Sequence, residues 1–63
     1  MTVLERIDYY REKKGWSEYK LAQESEIPQS TINSWYRKNL LPSIPSLEKI
    51  ADALGISPAA LLS

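Results

Sequence analysis

Between Pro28 and Arg37 the residues separate by chemistry when set on a helical wheel at about 100° per residue. Pro28, Thr31, Ile32, Trp35 and Tyr36 fall on one side, and Gln29, Ser30, Asn33, Ser34 and Arg37 on the other. The second set consists of amides and hydroxyls with a single guanidinium. These groups donate and accept hydrogen bonds, but they supply no nucleophile–base pair and no metal ligand set. A face that only meets water usually carries several Lys and Glu. This one has the composition of a surface that reads the hydrogen-bonding edge of another molecule.

The rest of the composition narrows the chemistry further. The chain has no His and no Cys, which excludes disulfides and the common soft-ligand metal sites. The carboxylates are spread along helix faces and no glycine-rich phosphate loop is present. No enzymatic role, cofactor, metal or small-molecule ligand is therefore expected. Sixty-three residues suffice for one small domain, taken as 1–63. No apolar run approaches the ~20 residues of a membrane span, and no signal-peptide core is visible, so a cytoplasmic location and no membrane partner are expected. Lys plus Arg number 8 and Asp plus Glu number 8, so the net charge is zero, which counts against strong non-specific nucleic-acid binding. The distribution matters more than the sum. No acid lies between Glu26 and Glu48, and Arg37 and Lys38 fall inside that window.

Short helices must position this face. Thr2 or a neighbour opens the first, with Val3, Leu4, Ile7 and Tyr10 as its buried stripe, Lys13 and Lys14 in the last turn, and Gly15 as a left-handed stop. Ser17 is a good N-cap for the second, with Trp16 packing on Leu21 as a hydrophobic staple. Leu21 and Ala22 face inward, and Lys20 and Glu24 form an i,i+4 pair. The break at Ser25-Glu26-Ile27 puts Glu26 where a tight turn prefers glycine, so a left-handed Glu26 is expected to carry strain of about 1 kcal/mol. Pro28 starts the third helix, either at N1 or at the cap.

The stretch 38–45 has prolines at 42 and 45 and reads as an extended loop with Leu40, Leu41 and Ile44. Ser46 is expected to cap a fourth helix bearing Leu47, Ile50, Ala51 and Leu54, stopped by Gly55. Ile56-Ser57-Pro58 opens a short fifth helix. The fold class is all-α, with five helices at about 2–14, 18–25, 28–37, 47–54 and 58–62. Trp16, Ile32 and Trp35 are expected in the core.

Three blocks now resemble a known family. Arg11 with Gly15-Trp16-Ser17-Glu18-Tyr19-Lys20-Leu21-Ala22, then Ile27-Pro28-Gln29-Ser30-Thr31-Ile32, then Pro45-Ser46-Leu47-Glu48-Lys49-Ile50-Ala51-Asp52-Ala53-Leu54-Gly55-Ile56, are similar in order and spacing to Cro/C1-type (Xre) helix-turn-helix domains, like those of lambdoid repressors. The resemblance runs from about Leu4 to Leu62. It implies a five-helix fold in which helices 2 and 3 form the helix-turn-helix, the third entering the major groove of double-stranded DNA and the second lying across the phosphate backbone. Gln29, Ser30 and Ser34 match positions that touch base edges, and Asn33, one turn after Gln29, reaches adenine or braces Gln29. Arg37, Lys38 and Asn39 match the region that grips phosphate, and Ser17 with the start of helix 2 matches a second phosphate contact.

The chain departs from the family at three places. Glu18 stands where Gln is frequent, so a carboxylate would face phosphate. Glu26 occupies the turn glycine. The family's Arg near the end of helix 1 commonly pairs with Glu at the end of helix 3; here Arg11 meets Tyr36, which leaves at most a stacking or cation–π contact.

The leading expectation is a sequence-specific DNA-binding transcriptional regulator acting as a homodimer on paired half-sites. The dimer patch would include at least one of Leu40, Leu41 and Ile44 with Leu61 or Leu62. The alternative, motivated by the neutral charge and by Glu18, Glu24 and Glu26, is a protein-interaction or antitoxin-type module with weak DNA binding.

Overall fold

The computed structural model describes residues 2–62, which form five α-helices: α1 (Val3–Lys13), α2 (Glu18–Ser25), α3 (Gln29–Lys38), α4 (Ile44–Leu54) and α5 (Ala59–Leu62). No strand occurs among the described residues, as the all-α expectation required.

Local chemistry accounts for most of the helix ends. The Thr2 hydroxyl accepts from the Glu5 amide at 3.2 Å while the Thr2 amide donates to Glu5 Oε1 at 2.8 Å, a reciprocal capping box. Gly15, at φ 71°, ends the first turn region, and the Trp16 amide returns to the Arg11 carbonyl at 3.1 Å. Ser17 caps α2 by accepting from the Lys20 amide at 3.1 Å. The Lys20–Glu24 pair closes at 3.1 Å, but both side chains are more than two-fifths exposed, so it contributes little.

Glu26 is left-handed at φ 59°, ψ 34°, and the next amide, Ile27, bonds the Ala22 carbonyl at 3.2 Å. Pro28 sits at the cap of α3 and not at its first helical position. It has no side-chain acceptor to offer, so the first turn of α3 lacks a side-chain cap.

The loop 38–45 is shorter than the sequence pattern suggests. Ser43, not Ser46, is the N-cap of α4: its Oγ accepts from the Ser46 amide at 3.4 Å, and its carbonyl accepts from Leu47 at 2.9 Å. Pro45 therefore lies inside the first turn. A proline there removes only an N–H that has no partner within the helix, so two prolines three apart do not prevent the start. Gly55 ends α4 at φ 73°.

Ile7, Leu21, Ile32, Leu47, Ile50 and Leu61 are the largest side chains with almost no exposure, and they join all five helices in one core. Ile32 and Trp35 bring the apolar face of α3 into it, whereas Trp16 is only half-buried and packs at its edge. α3 packs chiefly on α2, α2 also on α4, and α1 on α5 and α4. Of the two leucines offered for a surface patch, Leu61 is fully buried and only Leu62 is exposed. Leu40, Leu41 and Ile44 are all exposed, Leu41 at 73%.

Candidate nucleic-acid interface

Burial of Ile32 and Trp35 fixes the phase of α3, and the polar face follows from it. Gln29, Ser30 and Arg37 are exposed, and Asn33 and Ser34 are half-buried at its flank. Among the described residues, Tyr36 is the α3 side chain that takes part in an intramolecular hydrogen bond. Gln29, Ser30, Asn33 and Ser34 thus keep their donors and acceptors for a ligand. An amide near the start of the helix can present N–H and C=O together, the pattern that matches the major-groove edge of adenine.

Positive charge gathers at the other end of the helix. Arg37 and Lys38 are exposed in the last turn of α3, where they also complement the helix dipole. Asn39 ends the helix in a left-handed conformation, φ 53°, with its amide on the Trp35 carbonyl. Its side chain is exposed beside the two cations. Ser17 is exposed at the start of α2 and already accepts from Lys20, but its own O–H proton remains to be donated.

Behind this face lies a cluster whose full form the sequence did not reveal. Tyr36 Oη donates to Asp8 Oδ1 at 2.8 Å, and Arg11 Nη2 reaches the same oxygen at 3.1 Å. Arg11 Nη1 donates to the Trp16 carbonyl at 2.7 Å. The expected stacking or cation–π contact between Arg11 and Tyr36 is therefore replaced by a relay through Asp8. The reason is local: Asp8, one turn before Arg11, provides the carboxylate that the family carries on helix 3. The i,i+3 spacing of Asp8 and Arg11 was a visible signal for that half of the cluster. Nothing in the sequence pointed from Asp8 to Tyr36, 28 residues away.

Burial pushes the Tyr36 hydroxyl well above the usual phenol range, reinforced by the hydrogen bond to Asp8 and its charge. For Arg11, burial opposes the charged form. The hydrogen bond to Asp8 and the surrounding negative charge outweigh it, and its pKa is raised. Glu18 is half-buried at the start of α2, and its charge acts on both Arg11 and Tyr36. Arg11 thus offsets part of the repulsion that Glu18 was expected to exert on a phosphate. Glu24, Glu26 and Asp52 gather with Ser25 and Lys49 around a shallow hollow of about 180 Å³.

The Helix-turn-helix family pattern matches residues 7–61, which covers all but the first turn and the last residues of the chain. The chain belongs to the Cro/C1-type helix-turn-helix family. It is similar to the immunity repressor protein of Bacillus phage phi105, 32% identical over 62 residues. That alignment takes in 98% of this chain and 43% of the phage protein, so the chain spans about two-fifths of that relative's length. Among solved structures it is similar to the N-terminal DNA binding domain of SinR from Bacillus subtilis, with a TM-score of 0.87 and 35% identity over 97% of this chain and 90% of that one. In this helix-turn-helix chain α2 and α3 are the two helices of the motif, joined by the turn at Glu26.

Proposed function

We propose that this chain is a sequence-specific DNA-binding transcriptional regulator, with 1–63 acting as a single domain in the cytoplasm, where its DNA target is. α3 enters the major groove. Gln29 and Ser30 read base edges first, Asn33 and Ser34 read or brace beside them, and Ser17, Arg37, Lys38 and Asn39 hold phosphates. The observation that carries this reading is the uncommitted polar face of α3, exposed at Gln29 and Ser30 and backed by a buried Ile32 and Trp35. Family membership and the likeness to a repressor and to a DNA binding domain support it.

The domain works as a homodimer on two half-sites. A lone copy places few cations on phosphate, and two copies add their base contacts. Exposed Leu40, Leu41, Ile44 and Leu62 supply apolar surface for such a contact. Sedimentation with and without DNA tests this, and a monomer on a single half-site would remove it.

Selection of binding sites from random duplex DNA, followed by gel shift of the winning site, tests the reading as a whole. The expected result is a two-fold repeated site whose preference falls by about 1–3 kcal/mol when Gln29 is replaced by Ala. Retention of no duplex at low salt overturns it. That outcome would favour the protein-interaction reading, to which the acids at Glu24, Glu26 and Asp52 lend support.

A further inference from the structure

The Tyr36–Asp8 bond is the one side-chain hydrogen bond among the described residues that joins α3 to another element. α3 packs chiefly on α2, with little direct contact to α1. Rotation of α3 about its contact with α2 is thus opposed at the C-terminal end by this tether. Asp8 cannot simply follow such a rotation. Its Oδ1 is also held by Arg11 Nη2, and Arg11 Nη1 is fixed on the Trp16 carbonyl in the turn before α2. The chain Trp16–Arg11–Asp8–Tyr36 runs from the entry of α2 to the last turns of α3.

Two features make this tether stiff. Both bonds to Asp8 have a carboxylate acceptor, and the one from Arg11 also has a charged donor; such bonds are stronger than neutral ones, although at 2.8 and 3.1 Å neither is short. Arg11 Nε is buried with no partner among the described residues, so this N–H has already lost water. That loss is tolerable only while Nη1 and Nη2 stay engaged, which resists loosening of the whole relay.

We infer that Asp8 is a positioning residue for the third helix: by holding Tyr36 against the frame of α1 and the α1–α2 turn, it sets the angle at which α3 presents Gln29 and Ser30. This rests on the DNA-reading proposal for those two side chains. Asp8 itself touches no base. Its effect is on the pose of groups that must be held to within a fraction of an ångström and about 10–20° to discriminate.

The test combines an orientation measurement with a binding measurement on the full chain. Tyr36→Phe removes only the hydroxyl, Asp8→Ala removes the acceptor, and Asp8→Asn keeps an acceptor oxygen without the charge. Backbone residual dipolar couplings, recorded without DNA, give the angle between α1 and α3. Gel shifts give the preference for the selected site over one altered at the bases facing Gln29. The expected result is a changed angle in Tyr36→Phe and Asp8→Ala, with the preference reduced by about tenfold and non-specific retention at low salt unchanged. Asp8→Asn, which keeps the acceptor without the charge, falls between wild type and Asp8→Ala in both. If Asp8→Ala does not fold, Tyr36→Phe decides alone. An unchanged angle in Tyr36→Phe overturns the inference, as does a changed angle with undiminished preference. A wild-type chain that prefers no sequence overturns the DNA reading instead, and the angle still decides whether Asp8 orients α3.

Discussion

Glu26 and Asn39 bracket the third helix with the same left-handed backbone, at φ 59° and φ 53°. The two positions are not equivalent in cost. Asn visits this region with a short side chain that tolerates it, whereas Glu gains nothing local in return. Glu26→Gly should therefore stabilise the fold by about 1 kcal/mol, raising Tm by about 4–8 °C in a domain of this size. Asn39→Gly should change Tm by much less. Thermal melts followed by circular dichroism measure both, and an unchanged or lower Tm for Glu26→Gly would show that the turn is not strained.

The contrast between Glu26 and the Asp8 relay marks what the sequence made legible. Stops at Gly15 and Gly55, the cap at Ser17 and the bend at Glu26 depend on one to four neighbouring residues, so pattern alone located them. The polar face of α3 was visible because two large residues, Ile32 and Trp35, set its phase. The start of α4 was misplaced by three residues because Ser43 and Ser46 are both capable caps and the proline between them permits either. Leu61 and Leu62 could not be phased within a helix of four residues. Tyr36 meeting Asp8 is a consequence of packing across 28 residues, which no local pattern encodes.

Leu61 and Leu62 differ sharply in burial, at 0% and 52% exposure. Leu61→Ala removes part of a closed core and should cost about 2–5 kcal/mol, a large share of the stability available to so short a chain. Leu62→Ala should leave Tm nearly unchanged and, if the exposed leucines meet across a dimer, weaken self-association. Urea denaturation and sedimentation separate the two effects, and equal destabilisation by both substitutions would contradict this phasing of α5.

At low pH the capping box should be an early loss. The backbone amide and hydroxyl of Thr2 hold the Glu5 carboxyl below its ordinary value of 4.5. A depressed folded-state value stabilises above the unfolded value and is lost as pH falls through the folded one. Thr2→Ala should lower Tm at neutral pH but return Glu5 only part of the way towards its ordinary value, because the backbone amide at position 2 still donates, whereas Glu5→Gln should flatten the decline of stability below about pH 4.5. Carbon-detected titration of the Glu5 carboxyl checks the shift directly.

At high pH the sign reverses. Tyr36 ionises in the folded chain well above its ordinary value of 10.0, because burial and Asp8 both disfavour a phenolate. Its contribution is complete below pH 10 and fades as pH rises through the folded-state value, so the unfolded chain gains a proton-releasing group that the folded chain withholds. Alkaline unfolding should begin above pH 10, and Tyr36→Phe should make stability less dependent on pH there. Tyrosinate absorbance and helicity followed together test this, and an identical alkaline profile in Tyr36→Phe would exclude Tyr36 as the source.

The electrostatics of binding should be weak in a measurable way. Arg37 and Lys38 are the two full positive charges on the proposed phosphate contacts, and Ser17 and Asn39 add neutral donors. Each phosphate neutralised contributes about −0.9 to the slope of log affinity against log salt, so two cations imply about −2 per copy and about −4 for a pair on two half-sites. Replacing Arg37 or Lys38 by Ala should each reduce the slope by about one per copy and weaken all duplexes alike. Replacing Gln29 should leave the slope unchanged and weaken only the selected site. Glu18 sharpens the comparison. Its carboxylate lies at the start of α2, where the proposed phosphate contact of Ser17 begins, so Glu18→Gln should strengthen binding modestly while leaving base preference in place. A slope near −10 would mean that phosphate is held by more residues than those at the end of α3, and a loss of base preference in Glu18→Gln would contradict the placing of Glu18 beside phosphate.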